Sequence, residues 1–80
     1  MNKTLVIGAS TKPVRPSYDC IVKLMDRNLP VEAISSREGN IGELIFHVGQ
    51  PILDNIDTVT LYVGKENQLP YYDYIMGLKP

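Results

Sequence analysis

The first seventeen residues constrain the fold of this chain more than any other segment. The apolar run from Thr4 to Ile7 leads into the small-residue segment from Gly8 to Pro13, and we predict an amphipathic helix with Ser17 as its N-cap. A buried strand that turns through such a loop into a helix is typical of the phosphate-binding half of a nucleotide-binding α/β unit, because the first helical amides have no intrahelical partner and can bind an anion. The loop lacks a complete Gly-x-Gly-x-x-Gly pattern, so a plain strand-to-helix turn is the alternative.

The rest of the hydrophobic pattern alternates between strands and helices. The first run is continuous, which predicts a strand over residues 4–8 that is buried on both faces. Further strands are predicted over 31–35, 44–46 and 57–63, helices over 17–28 and 71–78, and a turn or short helix over 50–56. In the last helix, we predict that Tyr71 and Tyr74 face the core and that Tyr72 lies at the surface. This order predicts an α/β fold with a parallel sheet and right-handed crossovers.

The end of the sequence affects how this sheet is completed. The last predicted helix ends at Leu78, where an α/β domain would normally turn into another strand. The strand over 57–63 would then be a long apolar edge, which invites pairing with another chain. We therefore expect the 80 residues to be the N-terminal part of one larger domain. If the chain is complete, we expect a homodimer or strand exchange through this edge.

Composition excludes several classes of partner. The formal net charge of -1 argues against a protein that binds nucleic acid by neutralising phosphates. No apolar run approaches the ~20 residues of a membrane span. A single cysteine, Cys20, excludes an internal disulfide and is typical of a reducing compartment, so we expect a cytoplasmic domain with neither nucleic acid nor membrane as partner.

The β–α loop supplies several groups that suit a phosphate. Gly8 allows tight passage of the backbone, and the small Ala9 leaves room for a diphosphate to approach the main chain. Serine and threonine hydroxyls donate hydrogen bonds, while Lys12 and Arg15 add positive charge. The candidate phosphate-binding residues are Gly8, Ala9, Ser10, Thr11, Lys12, Pro13 and Ser17.

The end of the second strand carries two hydroxyls and an arginine, Ser35, Ser36 and Arg37. In dinucleotide folds this tip meets the adenosine ribose, and an acidic residue there favours an unphosphorylated ribose. Arginine instead favours a phosphorylated ribose, such as the 3′-phosphate of coenzyme A or the 2′-phosphate of NADP. The alternative is a solvated surface ion pair between Arg37 and Glu38.

The end of the fourth strand, Tyr62 and Val63, is the third wall of the predicted crevice. Tyr62 could border an adenine or a pantetheine arm, although tyrosines in strands more often pack in the core or at its rim. We predict no catalytic residue and no metal site. His47 has no partnered nucleophile, and Cys20 lies in mid-helix, where a small buried hydrophobe is the more common role.

Three segments together resemble a known family: residues 3–13, 37–39 and 57–62 are similar to the small bacterial CoA-binding domain proteins and to the CoA-binding domain of the succinyl-CoA synthetase α subunit. The resemblance implies a three-layer, Rossmann-like parallel sheet that lacks its C-terminal strands. It also implies binding of coenzyme A or an acyl-CoA. Residues 8–13 with Ser17 would hold the diphosphate, residues 35–37 the ribose phosphate, and Tyr62 with Val63 would border the pantetheine arm.

Two other functions fit parts of the pattern. An NADP-binding oxidoreductase fragment would use the same loop and the same Arg37, but it needs a substrate domain and a catalytic residue. A truncated or engineered scaffold would keep a vestigial site and associate with itself through the strand over 57–63. Ligand titration and the assembly state separate these from a CoA-binding domain.

Overall fold

The computed structural model of the protein describes residues 3–64 and 68–78. Two helices, α1 (Pro16–Asp26) and α2 (Leu69–Leu78), accompany six strands. The strands are β1 (Lys3–Ile7), β2 (Val31–Ser35), β3 (Asn40–Ile41), β4 (Leu44–Ile45), β5 (His47–Val48) and β6 (Ile56–Leu61).

Four of the strands form one sheet in the order β5-β2-β1-β6, and every neighbouring pair in it is parallel. The first strand along the chain therefore lies in the middle. Its continuous apolar sequence is explained by this position, because Leu5, Val6 and Ile7 are all fully buried. The parallel, Rossmann-like α/β fold predicted from the sequence is confirmed.

The two faces of the sheet are covered by different helices, which gives three layers. On one face Val6 packs in a cluster with Ile21 of α1. On the other face Leu5 and Ile7 pack in a cluster that α2 borders through Tyr71, Tyr74, Ile75 and Leu78. As predicted, Tyr72 points away from this core and is exposed.

The start of α1 differs from the sequence prediction. The helix begins at Pro16, its N-cap is Arg15 with extended backbone, and no side chain caps it. The prediction of Ser17 as N-cap is therefore wrong. The reason is that proline fits the first helical position, where its fixed φ is already helical and its missing N–H costs nothing. The helix ends at Asp26, two residues before the predicted end at 28, and Asn28 follows its C-cap with a left-handed φ of 56°.

The segment between β2 and β6 also differs. Instead of one weak strand over 44–46, β3 and β4 form an antiparallel hairpin, and β5 adds an edge to the main sheet next to β2. The turn of the hairpin uses Gly42 with a φ of 59°. The segment over 50–56 contains no helix and runs irregularly into β6. His47 is consequently a half-buried residue of β5.

The other edge of the main sheet is β6, as the sequence predicts, although the strand covers 56–61 rather than 57–63. No strand in the described ranges 3–64 and 68–78 pairs with its outer side. Neither α1 nor α2, the helices of these ranges, has the length and apolar character that crossing a bilayer requires.

Candidate functional site

A cavity of about 500 Å³ lies at the carboxyl ends of the central strands, where ligands bind in open parallel sheets. The β1–α1 loop, the start of α1, the tip of β2, the residue before β5 and the residue after β6 form its walls. Its lining residues are Gly8, Ala9, Ser10, Thr11, Lys12, Arg15, Pro16, Ser17, Ser35, Ser36, Arg37, Glu38, Phe46 and Tyr62.

Gly8 brings the ends of β1 and β6 into contact at the floor of this cavity. Its φ is 92°, and an added Cβ would lie 2.7 Å from the carbonyl oxygen of Tyr62. The N–H groups of Gly8 and Ala9 both donate to the carbonyl oxygen of Ile34, at 2.9 Å each. These two residues therefore shape the floor, and their amides serve the sheet rather than a ligand.

The free backbone donors lie further along the loop. Within the described ranges the N–H groups of Ser10, Thr11 and Ser17 donate to no protein acceptor. The hydroxyl oxygen of Ser10 accepts the N–H of Lys12 at 3.1 Å, which holds the loop in a tight turn. Unpaired amides next to a helix N-terminus attract an anion.

Ser17 is the most buried polar side chain at the site. It is only 2% exposed and it lines the cavity, so its small accessible surface faces the cavity. The next two amides of α1, those of Tyr18 and Asp19, both donate to the carbonyl oxygen of Arg15. Because no side chain caps α1, the start of this helix presents a positive dipole end and a buried hydroxyl to the same space.

The tip of β2 forms the opposite wall. The hydroxyl oxygen of Ser35 accepts the N–H of Arg37 at 3.3 Å, and this turn leaves Ser36, Arg37 and Glu38 exposed around the cavity. Among the described residues, no ion pair joins Arg37 to Glu38. The arginine is therefore available for a ligand. Lys12 and Arg15 also line the cavity, so its lining includes three cationic residues and one carboxylate, that of Glu38.

Gly39 allows the loop and the β2 tip to meet beside Phe46. An added Cβ on Gly39 would lie 2.9 Å from the Thr11 methyl carbon and 3.4 Å from the Phe46 ring. The N–H of Phe46 donates to the Gly39 carbonyl oxygen at 2.9 Å. Phe46 is buried and gives the cavity an apolar wall. Sequence reasoning missed this residue, because the strand that follows it is only two residues long.

Tyr62 forms the third wall of the cavity and follows the end of β6. Its N–H donates to the Ile7 carbonyl oxygen at 2.8 Å, and its side chain is 38% exposed. Interaction with the neighbouring Cys20 thiol, and then partial burial, raise the pKa of Tyr62 above its ordinary value. The cavity lining does not include Val63, which packs in the cluster on the α2 face, or Pro13.

A second, smaller cavity of about 290 Å³ runs beside α1, and we call it the α1 groove. It is lined by Asp19, Cys20, Lys23, Leu24, Arg27 and Tyr62. Tyr62 lines both cavities, so they adjoin at this residue. An ion pair of 2.9 Å joins Lys23 to Asp19 along the helix. Cys20 is half-buried and packs against the core on the α1 face, close to its predicted role.

A polar cluster lies away from both cavities. Glu32 of β2 is 3.2 Å from Lys3 of β1 and 3.2 Å from His47 of β5. Neither Lys3, Glu32 nor His47 lines a cavity described above. In the part of the chain that the structure describes, no three histidine, cysteine, aspartate or glutamate side chains are placed to hold a metal ion.

Fold and site together define a Rossmann-like α/β domain whose strand ends form a cleft lined by Lys12, Arg15 and Arg37. The sequence pattern of a family described as "CoA binding domain" matches residues 2–80, and the chain belongs to this family. The family resemblance predicted from the three sequence segments is thus confirmed.

A solved structure described as "Crystal structure of uncharacterized protein" has the same fold, with a TM-score of 0.92 and 32% sequence identity. The match covers 100% of this chain and 66% of that one, so this chain spans just under two thirds of the similar protein's length. None of the curated proteins gives a significant match.

Proposed function

We propose that this chain binds coenzyme A or a CoA thioester, with the diphosphate at the β1–α1 loop. The observation that carries this proposal is the uncapped start of α1, where the amide of Ser17 and its buried side chain border the same cavity as the free amides of Ser10 and Thr11. A diphosphate satisfies such donors and is stabilised by the helix dipole. Membership of the CoA binding domain family supports the choice of ligand.

The residues around the cavity suit the rest of the ligand. Gly8 lets β6 approach the end of β1, because an added Cβ there would lie 2.7 Å from the Tyr62 carbonyl oxygen, and this close approach brings Tyr62 to the cavity. Lys12 adds positive charge, and Arg37 would pair with the 3′-phosphate beside Ser35 and Ser36. The pantetheine arm would leave past Tyr62. Coenzyme A supplies a thiol that carries acyl groups as thioesters; no catalytic role is assigned to the chain itself.

Calorimetric titration with coenzyme A and dephospho-CoA tests the proposal. We expect the unmodified protein to bind coenzyme A more tightly, and Arg37→Ala to weaken it roughly 10- to 100-fold, because a charge-assisted pair contributes about 1.5–3 kcal/mol. Dephospho-CoA should bind equally well to both proteins. Arg27→Ala, which removes an arginine outside the main cavity, is the matched control and should leave both affinities unchanged. Equal affinities of the unmodified protein for the two ligands would refute the role of Arg37.

NADP is the second candidate, because Arg37 would suit its 2′-phosphate equally well. Adding NADPH to the same titration separates the two. Tighter binding of NADPH than of coenzyme A would favour the oxidoreductase fragment. Binding of neither would favour a scaffold with a vestigial site.

We further propose that the open edge of β6 allows two copies to pair. The outer side of this strand has no partner strand within the described residues, and unpaired parallel-sheet edges promote association. Sedimentation equilibrium should show a dimer that Thr58→Lys, a charge on the exposed part of the edge, converts to monomer. A monomer at every concentration in the unmodified protein contradicts the pairing.

We place the protein in the cytoplasm. Cys20 is a free thiol, and free thiols without disulfides are typical of reducing compartments. Fractionation of cells that produce the protein tests this location, and recovery outside the cytoplasmic fraction would contradict it.

A further inference from the structure

The α1 groove continues the main cavity on the far side of Tyr62. Because Tyr62 lines both spaces, a flexible arm that leaves the main cavity past this residue would enter the groove. The groove follows one face of α1, since Cys20, Lys23, Leu24 and Arg27 are spaced three and four residues apart. It therefore extends from the first turns of the helix to its end.

The length of the helix matches the length of the arm. Ser17 and Arg27 are separated by ten residues, and at ~1.5 Å per residue they lie roughly 15 Å apart along the axis. The arm of coenzyme A contains two amide units with their methylene chains. Its extended reach is comparable to about four residues of extended peptide, or about 14 Å. A diphosphate at the start of α1 would thus bring the sulfur to the last turns of the helix, within reach of Leu24 and Arg27.

The chemistry at that end is cationic with an apolar floor. Lys23 is paired with Asp19 at 2.9 Å, whereas Arg27 has no ion-pair partner among the described residues. Leu24 lies between them in the sequence and is half-buried. An acyl chain would contact Leu24, and a carboxylate at the end of that chain would meet the Arg27 guanidinium, whose planar fork binds carboxylates with two hydrogen bonds.

Resting on the proposed CoA binding, we propose that the α1 groove receives the acyl group of the thioester and favours acyl groups that end in a carboxylate, with Arg27 as the specificity-determining residue. Arg27 also stands at the C-terminal end of α1, where any cation interacts favourably with the helix dipole. The free energy of unfolding reports the interaction of Arg27 with the helix dipole, whereas the ligand preference reports only its contact with the carboxylate.

Calorimetry with three ligands tests the inference: coenzyme A, propionyl-CoA and malonyl-CoA. The two thioesters have acyl groups of equal carbon number and differ in the terminal carboxylate. We expect malonyl-CoA to bind roughly 10-fold or more tightly than propionyl-CoA at low salt. Arg27→Gln should abolish this difference while leaving the affinities for coenzyme A and propionyl-CoA unchanged. Thermal unfolding of the variant confirms that it is folded.

The outcomes distinguish this inference from the function on which it rests. Equal affinities for both thioesters, with coenzyme A bound normally, overturn the acyl preference and leave CoA binding intact. A preference for malonyl-CoA that persists in Arg27→Gln overturns the assignment of Arg27. Failure of all three ligands to bind overturns the proposed function together with the inference.

Discussion

Replacing Gly8 with alanine tests whether β1 and β6 meet as closely as the structure shows. Two costs add up in this variant. The φ of 92° is unfavourable for a residue with a Cβ, at about 1–2 kcal/mol. In addition, the new Cβ would lie 2.7 Å from the Tyr62 carbonyl oxygen and 2.8 Å from its carbonyl carbon, which are backbone atoms that cannot simply rotate away. Displacing them adds about 1–3 kcal/mol, as for other overpacked sites.

Gly49 provides a matched control because its φ is 91° and an added Cβ would meet nothing within 4 Å. Gly49→Ala should therefore lose only the backbone term, about 1–2 kcal/mol. Gly8→Ala should lose about 2–5 kcal/mol, a large share of the stability of a small domain. Urea unfolding followed by circular dichroism measures both. Equal losses in the two variants would refute the close contact between β1 and β6.

Two other predictions concern the cavity walls. Ser17→Ala should weaken coenzyme A roughly 5- to 10-fold in calorimetry, because one hydrogen bond contributes about 1 kcal/mol; an unchanged affinity would exclude a role for the hydroxyl. Cys20→Ala should lower the pKa of Tyr62 towards its ordinary value in an ultraviolet pH titration, because the thiol is the main cause of the upward shift. As the folded-state pKa is the raised one, the contribution of Tyr62 to stability is complete below the unfolded-state pKa and is lost as pH rises through the folded-state value. An unshifted titration in the variant would contradict the contact.

The sequence was most informative where hydrophobic runs are long. The second strand has the predicted bounds, Val31–Ser35, and the burial of β1 on both faces follows from its unbroken apolar run. The pattern at Tyr71 and Tyr74 also predicted the face that α2 buries. In each case the hydrophobic pattern extends over a full strand or over one or two helical turns, which is long enough to show its period.

The sequence was less informative where pairing decides the structure. Strands β3, β4 and β5 have two residues each, too few to show a period, so their partners and the cavity wall at Phe46 could not be predicted. The same limit applies to the loop amides. Those of Gly8 and Ala9 bond to Ile34, and this depends on how β2 lies beside β1 rather than on the local sequence. The position of the N-cap was also missed, because Pro16 takes the first helical position and moves the cap to Arg15, two residues before the predicted serine.

We propose above all that the free amides of the β1–α1 loop and of the start of α1 bind the diphosphate, and titration of a ¹⁵N-labelled protein with coenzyme A tests this most directly. We expect saturable shifts of the amide resonances of Ser10, Thr11 and Ser17, with little change at Gly49, which lies outside the cavity lining. Shifts confined to residues outside the cavity, or none at saturating coenzyme A, would contradict this proposal.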